Sequence, residues 1–71
     1  MAHRQHTKLV HEGGYVAEVD VDLIDDETGW SPYLSLEDVY KIDEVRDSLR
    51  RGDIKAALRL ARVFALTPVA V

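Results

Sequence analysis

The chain has no cysteine, only two prolines and four glycines, and one residue each of tryptophan, phenylalanine and methionine. Without cysteine there is no disulfide, and its histidines and acids do not fall at the spacing of a structural zinc site. Those absences matter because 71 residues form one small domain, and a domain of that size buries only about 60% of its unfolded surface. Self-association or a protein partner is therefore expected to supplement the core. No apolar run approaches the roughly 20 residues of a membrane span, and residues 1–6 carry no apolar leader, so a soluble, cytoplasmic protein with no membrane partner is expected. There is no Gly-rich phosphate loop and no serine or histidine in a nucleophile setting, and the carboxylates form a row instead of opposing one another across a cleft. Neither catalysis nor a cofactor nor a resident metal is expected.

What the chain does have is charge, unevenly distributed. The formal net charge is −4, yet residues 1–11 carry +2, residues 12–45 carry −10 and residues 46–71 carry +4. Such a dipole along the sequence favours a partner with a basic surface, or self-association through opposite ends; the competing reading is a solvated acidic face that keeps the chain soluble.

Residues 1–6 are polar and predict a flexible N-terminus, His3 and His6 lacking a third ligand for a metal. Lys8 to His11 predicts a short strand, and Gly13-Gly14 the turn of a hairpin. In the next stretch Tyr15, Ala17, Val19, Val21 and Leu23 fall on one face at period two, with Glu18, Asp20 and Asp22 in a row on the other. Asp25, Asp26, Glu27, Thr28 and Gly29 read as a reversal, and residues 30–35 as a third strand that Pro32 confines to an edge. Ser35 then offers an N-cap to Asp38, with Glu37 and Asp38 in the first helical turn, where the dipole favours acid. Leu36, Val39, Ile42, Val45 and Leu49 form the apolar stripe of a helix over 36–50. Gly52 supplies a left-handed C-cap, and Asp53 caps a second helix over 54–65 carrying Ile54, Ala57, Leu58, Ala61 and Ala65. The fold expected is α+β: a small antiparallel sheet of two or three strands over 7–34, then a two-helix hairpin over 35–65 and a tail over 66–71.

Two candidate surfaces follow. Glu18, Asp20 and Asp22, with Asp25, Asp26 and Glu27 beyond them, predict an acidic strand for a basic partner, and Trp30 and Tyr33 are candidate anchors because aromatic residues dominate interface hot spots. The alternative for Trp30 and Tyr33 is that they close the open side of the small core. The second surface is a basic face on the second helix, where Lys55, Arg59 and Arg62 recur at i, i+4 and i+7 and Arg50 and Arg51 extend the patch toward nucleic-acid phosphates.

Tyr15-Val16-Ala17-Glu18-Val19, the Thr-Gly-Trp-Ser-Pro-Tyr-Leu-Ser stretch at 28–35, Arg50-Arg51-Gly52-Asp53 and Leu60-Ala61-Arg62-Val63 resemble a family of short bacterial proteins that carry no assigned activity. In size, acidic balance and strand-then-helix order the chain is also similar to antitoxins of type II toxin–antitoxin pairs. That likeness implies a small basic toxin as partner. No ribbon-helix-helix or clear helix-turn-helix is visible, so the DNA-binding half of such proteins is not implied. The sequence reading is thus a protein–protein interaction module, with a nucleic-acid-binding regulator and a homodimeric structural module as alternatives.

Overall fold

A computed structural model describes residues 2–25 and 33–70. In chain order they form β1 (Ala2–Glu12), β2 (Tyr15–Asp25), β3 (Tyr33–Leu34), α1 (Leu36–Arg50), α2 (Ile54–Leu58) and β4 (Arg62–Ala65). The architecture is α+β, with all strands antiparallel in one sheet.

The first two strands, eleven residues each, form a hairpin register-matched without interruption from Ala2↔Asp25 to Glu12↔Tyr15. Its turn works because Gly13 takes a positive φ of 59°, the conformation a two-residue turn with glycine at its first central position requires. Pairing runs back to Ala2, so residues 2–6 are strand and not the flexible end expected from their polarity. Their partners are acidic side chains on β2: Arg4 Nε lies 2.9 Å from Asp25, and His3 Nδ1 lies 2.7 Å from Asp22.

β2 is the central strand, and its second edge is covered in three pieces. Tyr33 and Leu34 pair with Ile24 and Leu23 at one end. Arg62 to Ala65 pair with Glu18 back to Tyr15 at the other. Between them α1 substitutes for a strand: Asp38 Oδ2 accepts the Asp22 backbone N–H at 2.8 Å, and Lys41 Nζ donates to the Asp20 carbonyl at 2.7 Å. Buried backbone groups need partners, and side chains serve where no strand reaches.

These contacts set the rotation of α1. With Asp38 and Lys41 against the strand edge, Ile42, Val45 and Leu49 turn down onto the sheet and are buried with Val10, Ala17, Val19, Val21 and Ala57. The apolar stripe expected from Leu36 onward therefore starts at Ile42. Leu36, Val39 and Tyr40 lie exposed on the flank. Ser35 caps the helix by accepting from Asp38 N–H at 3.2 Å. At the other end Gly52, at φ 74°, closes a double C-terminal cap, its N–H donating to the Leu49 carbonyl and that of Asp53 to the Ser48 carbonyl.

The chain after Asp53 departs from the expected hairpin of helices. Asp53 does cap a helix, accepting from Ala56 N–H, but α2 is only five residues. Arg62 to Ala65 form a fourth strand instead of the end of a long helix. Spacings of three and four among Ile54, Ala57, Leu58, Ala61 and Ala65 suit a helix. Pairing with β2, which the local spacing does not report, decides otherwise. Among the described residues the sheet thus has four strands, and Trp30 and Pro32 lie outside those residues. No helix among those described is long and apolar enough to cross a membrane.

The gap-filling role of Asp38 is open to test. Asp38→Ala leaves the Asp22 N–H without an acceptor and is expected to cost about 1–3 kcal/mol, read from urea unfolding midpoints. Asp38→Asn, which keeps an acceptor, should lose clearly less, and equal losses would mean the backbone contact contributes nothing. Leu49→Ala should cost about 2–5 kcal/mol by emptying the core beneath α1, a large share of a small domain's stability, visible as a drop in Tm.

Candidate interaction surface

Helices cover one face of the sheet, and the other carries the chemistry. Period two puts Val16, Glu18, Asp20, Asp22 and Ile24 of β2 on the helix-free face. The registers add His3, Gln5, Thr7, Leu9 and His11 from β1, Arg62 and Phe64 from β4 and Tyr33 from β3. Three of the expected partner-binding acids and one expected anchor therefore share a surface, and Trp30 lies outside the described residues.

The acidic row is not a bare line of repelling charges. Arg62 stands opposite Glu18 and lays its guanidinium along the row, with Nε 3.0 Å from Glu18 Oε1 and its two terminal nitrogens 2.9 and 2.8 Å from the two oxygens of Asp20. The planar fork matches a carboxylate in two parallel bonds. Thr7 donates to the same carboxylate from the opposite side at 3.2 Å. Hydrogen bonding from Arg62 above all, followed by its charge, holds the Asp20 carboxyl down to about 2, with the Thr7 bond and the charge of Lys41 acting in the same direction. In turn the bonds to Asp20 and then Glu18 push the Arg62 guanidinium upward. Asp22 completes the row and is met by His3. Three carboxylates face one guanidinium, so the centre of the surface keeps an acidic excess.

Around that centre lie apolar side chains. Leu9 is 65% exposed and Phe64 48%, with Tyr33 at 47% near the β3 end. Val16 and Ile24, half-buried, join them along β2. The sequence alone does not assign Leu9, Val16, Ile24 and Phe64 to a binding face. Val16 and Ile24 do bracket the acids in the same period-two phase, which is the signal that places them here. The described residues enclose no pocket, and no three metal-ligating side chains among them converge.

The expected basic face is dispersed. Arg62 sits on a strand, on the opposite side of the sheet from the helices, so the i, i+4, i+7 relation with Lys55 and Arg59 does not exist in the fold. Arg50 bonds Glu12 at 3.1 Å, and Arg51, just past the end of α1, bonds Asp47. Lys55 and Arg59 remain exposed at α2.

Removing the guanidinium gives a pH signature. The folded chain holds Asp20 below its ordinary value of 3.8, so the associated stabilisation is complete above that value and fades as pH falls toward about 2. In Arg62→Gln the Asp20 side-chain carboxyl resonance should titrate near the ordinary carboxylate value, and the acid-side loss of stability in that window should shrink. An unchanged Asp20 titration in the variant would show that Arg62 does not hold the row together.

No protein-family model, curated protein or solved structure matches this chain.

Proposed function

We propose that the chain is a protein–protein interaction module whose helix-free sheet face docks a partner with a basic, partly apolar surface. The observation that carries this reading is the face itself: exposed Leu9, Phe64 and Tyr33 around a row of three carboxylates that a single guanidinium only partly offsets. Large apolar side chains left exposed together on one face are a mark of binding surfaces; here they surround a charged centre.

The acidic excess selects the partner. Two copies meeting through this face would bring carboxylate rows together, whereas a basic surface meets them with opposite charge and lets the apolar rim exclude water. An antitoxin-like role against a small basic protein is one form of this function.

Tagged chain expressed in its native cells should recover a stoichiometric basic protein. Leu9→Ser combined with Phe64→Ser, which touches only exposed side chains, should lose that protein while keeping the circular dichroism and melting of the parent. With the purified pair, Asp22→Lys should slow association at low salt and flatten its salt dependence. Identical recovery by the double variant, together with unchanged association by Asp22→Lys, would overturn the reading.

A further inference from the structure

A second surface lies at the edge of the sheet. In an antiparallel ladder, successive residues turn their N–H and C=O groups to opposite sides. A two-residue turn closes on a hydrogen-bonded pair, here Glu12↔Tyr15, so Glu12, Val10, Lys8, His6 and Arg4 spend their backbone groups on β2. His3, Gln5, Thr7, Leu9 and His11 turn theirs outward. The same phase on β2 points the Asp20 carbonyl and Asp22 N–H away from β1, where Lys41 and Asp38 meet them. No described residue pairs with the outer edge of β1, and its eleven residues contain no proline or bulge to blunt it.

Charge indicates what fits there. β1 carries Arg4, Lys8 and three histidines, and its single acid, Glu12, is taken by Arg50. The strand on its inner edge is itself acidic, and three contacts show how β1 meets such a strand: His3 with Asp22, Arg4 with Asp25 and Thr7 with Asp20. Lys8 and His6 are exposed on the helix-bearing side of the sheet, and among the described residues no acid pairs with either.

We propose that the outer edge of β1 takes an extended acidic segment of a partner protein as an added antiparallel strand. Its carboxylates stand opposite Lys8 and His6, and its apolar or small side chains lie beside Thr7 and Leu9 on the other face. Backbone bonds give the affinity and alternate side chains the specificity. A second copy of β1 fits less well: antiparallel registers centred on residue 6 or 8 set Lys8 against Arg4 or another Lys8, and the one centred on residue 7 sets Lys8 against His6, so none of the three places an acid opposite Lys8. This edge and the helix-free face prefer opposite charges, so the proposal stands apart from the one above and a failure of either leaves the other intact.

The probe is a fluorescein-labelled eight-residue peptide of alternating Val and Asp, titrated with the full chain at low salt by anisotropy. Saturable binding is expected, with amide shifts centred on Gln5, Thr7 and Leu9. Two isomeric peptides, N-methylated on one or the other set of alternate residues, should differ, one binding about tenfold more weakly and the other unchanged. Lys8→Glu, a substitution at an exposed side chain checked by its melting curve, should weaken binding by about tenfold. Equal binding of both methylated peptides would reduce the contact to charge adsorption and overturn the proposal. Absence of binding at millimolar chain would do the same, as would a homodimer seen by light scattering that the peptide does not displace.

Discussion

The structure depends on how one strand is satisfied along both edges. β2 has a complete partner on one side, but on the other two short strands leave a stretch uncovered, and α1 fills it with a carboxylate and an ammonium. That substitution fixes where the helix lies and which way it is rotated. The rotation in turn buries Ile42, Val45 and Leu49 over Val10, Val19 and Val21. A chain with no disulfide and a core made mostly of valine and alanine has little core to spare, so a polar clamp that positions the helix does what bulk burial does in larger domains.

The same arrangement assigns the two faces of β2 different tasks. One side is small, aliphatic and dry. The other carries carboxylates that would repel one another without the Arg62 fork from β4. β4 is thus electrostatic as well as structural: it closes one end of the strand edge and brings the cation that makes an acidic row tolerable. What it leaves is a surface with a partly neutralised centre and apolar margins, bordered by a strand of the opposite charge whose outer backbone groups point to solvent. Positive and negative surfaces side by side on one small sheet reproduce in three dimensions the charge separation visible along the sequence.

Much of this is legible in the sequence. The phase of Tyr15 to Leu23, the Gly13-Gly14 turn, the Ser35 and Asp53 caps and the Gly52 stop are local chemistry, and each falls where the sequence places it. The misses share a cause. Residues 2–6 have no apolar alternation because their strand is held by acidic partners across the hairpin. Arg62 to Ala65 have helical spacing but pair with residues more than forty positions away, although Val63 and Phe64 are the β-branched and aromatic types that hint at a strand. Helical spacing groups Arg62 with Lys55 and Arg59, a grouping that its position on the sheet removes. Leu36 and Val39 matched the stripe by spacing, yet the helix is turned by Asp38 and Lys41, a tertiary contact that periodicity does not encode.

Residue-resolved amide hydrogen exchange on the isolated chain tests the central claim most directly, because it reports which backbone groups are satisfied. Val19, Val21 and Asp22 should be strongly protected, Asp22 through the Asp38 side chain, while Gln5, Thr7 and Leu9 should exchange at rates near those of an open strand. Fast exchange at Asp22 would contradict the helix-clamped centre. Slow exchange at Gln5, Thr7 and Leu9 would contradict an outer edge left open for a partner.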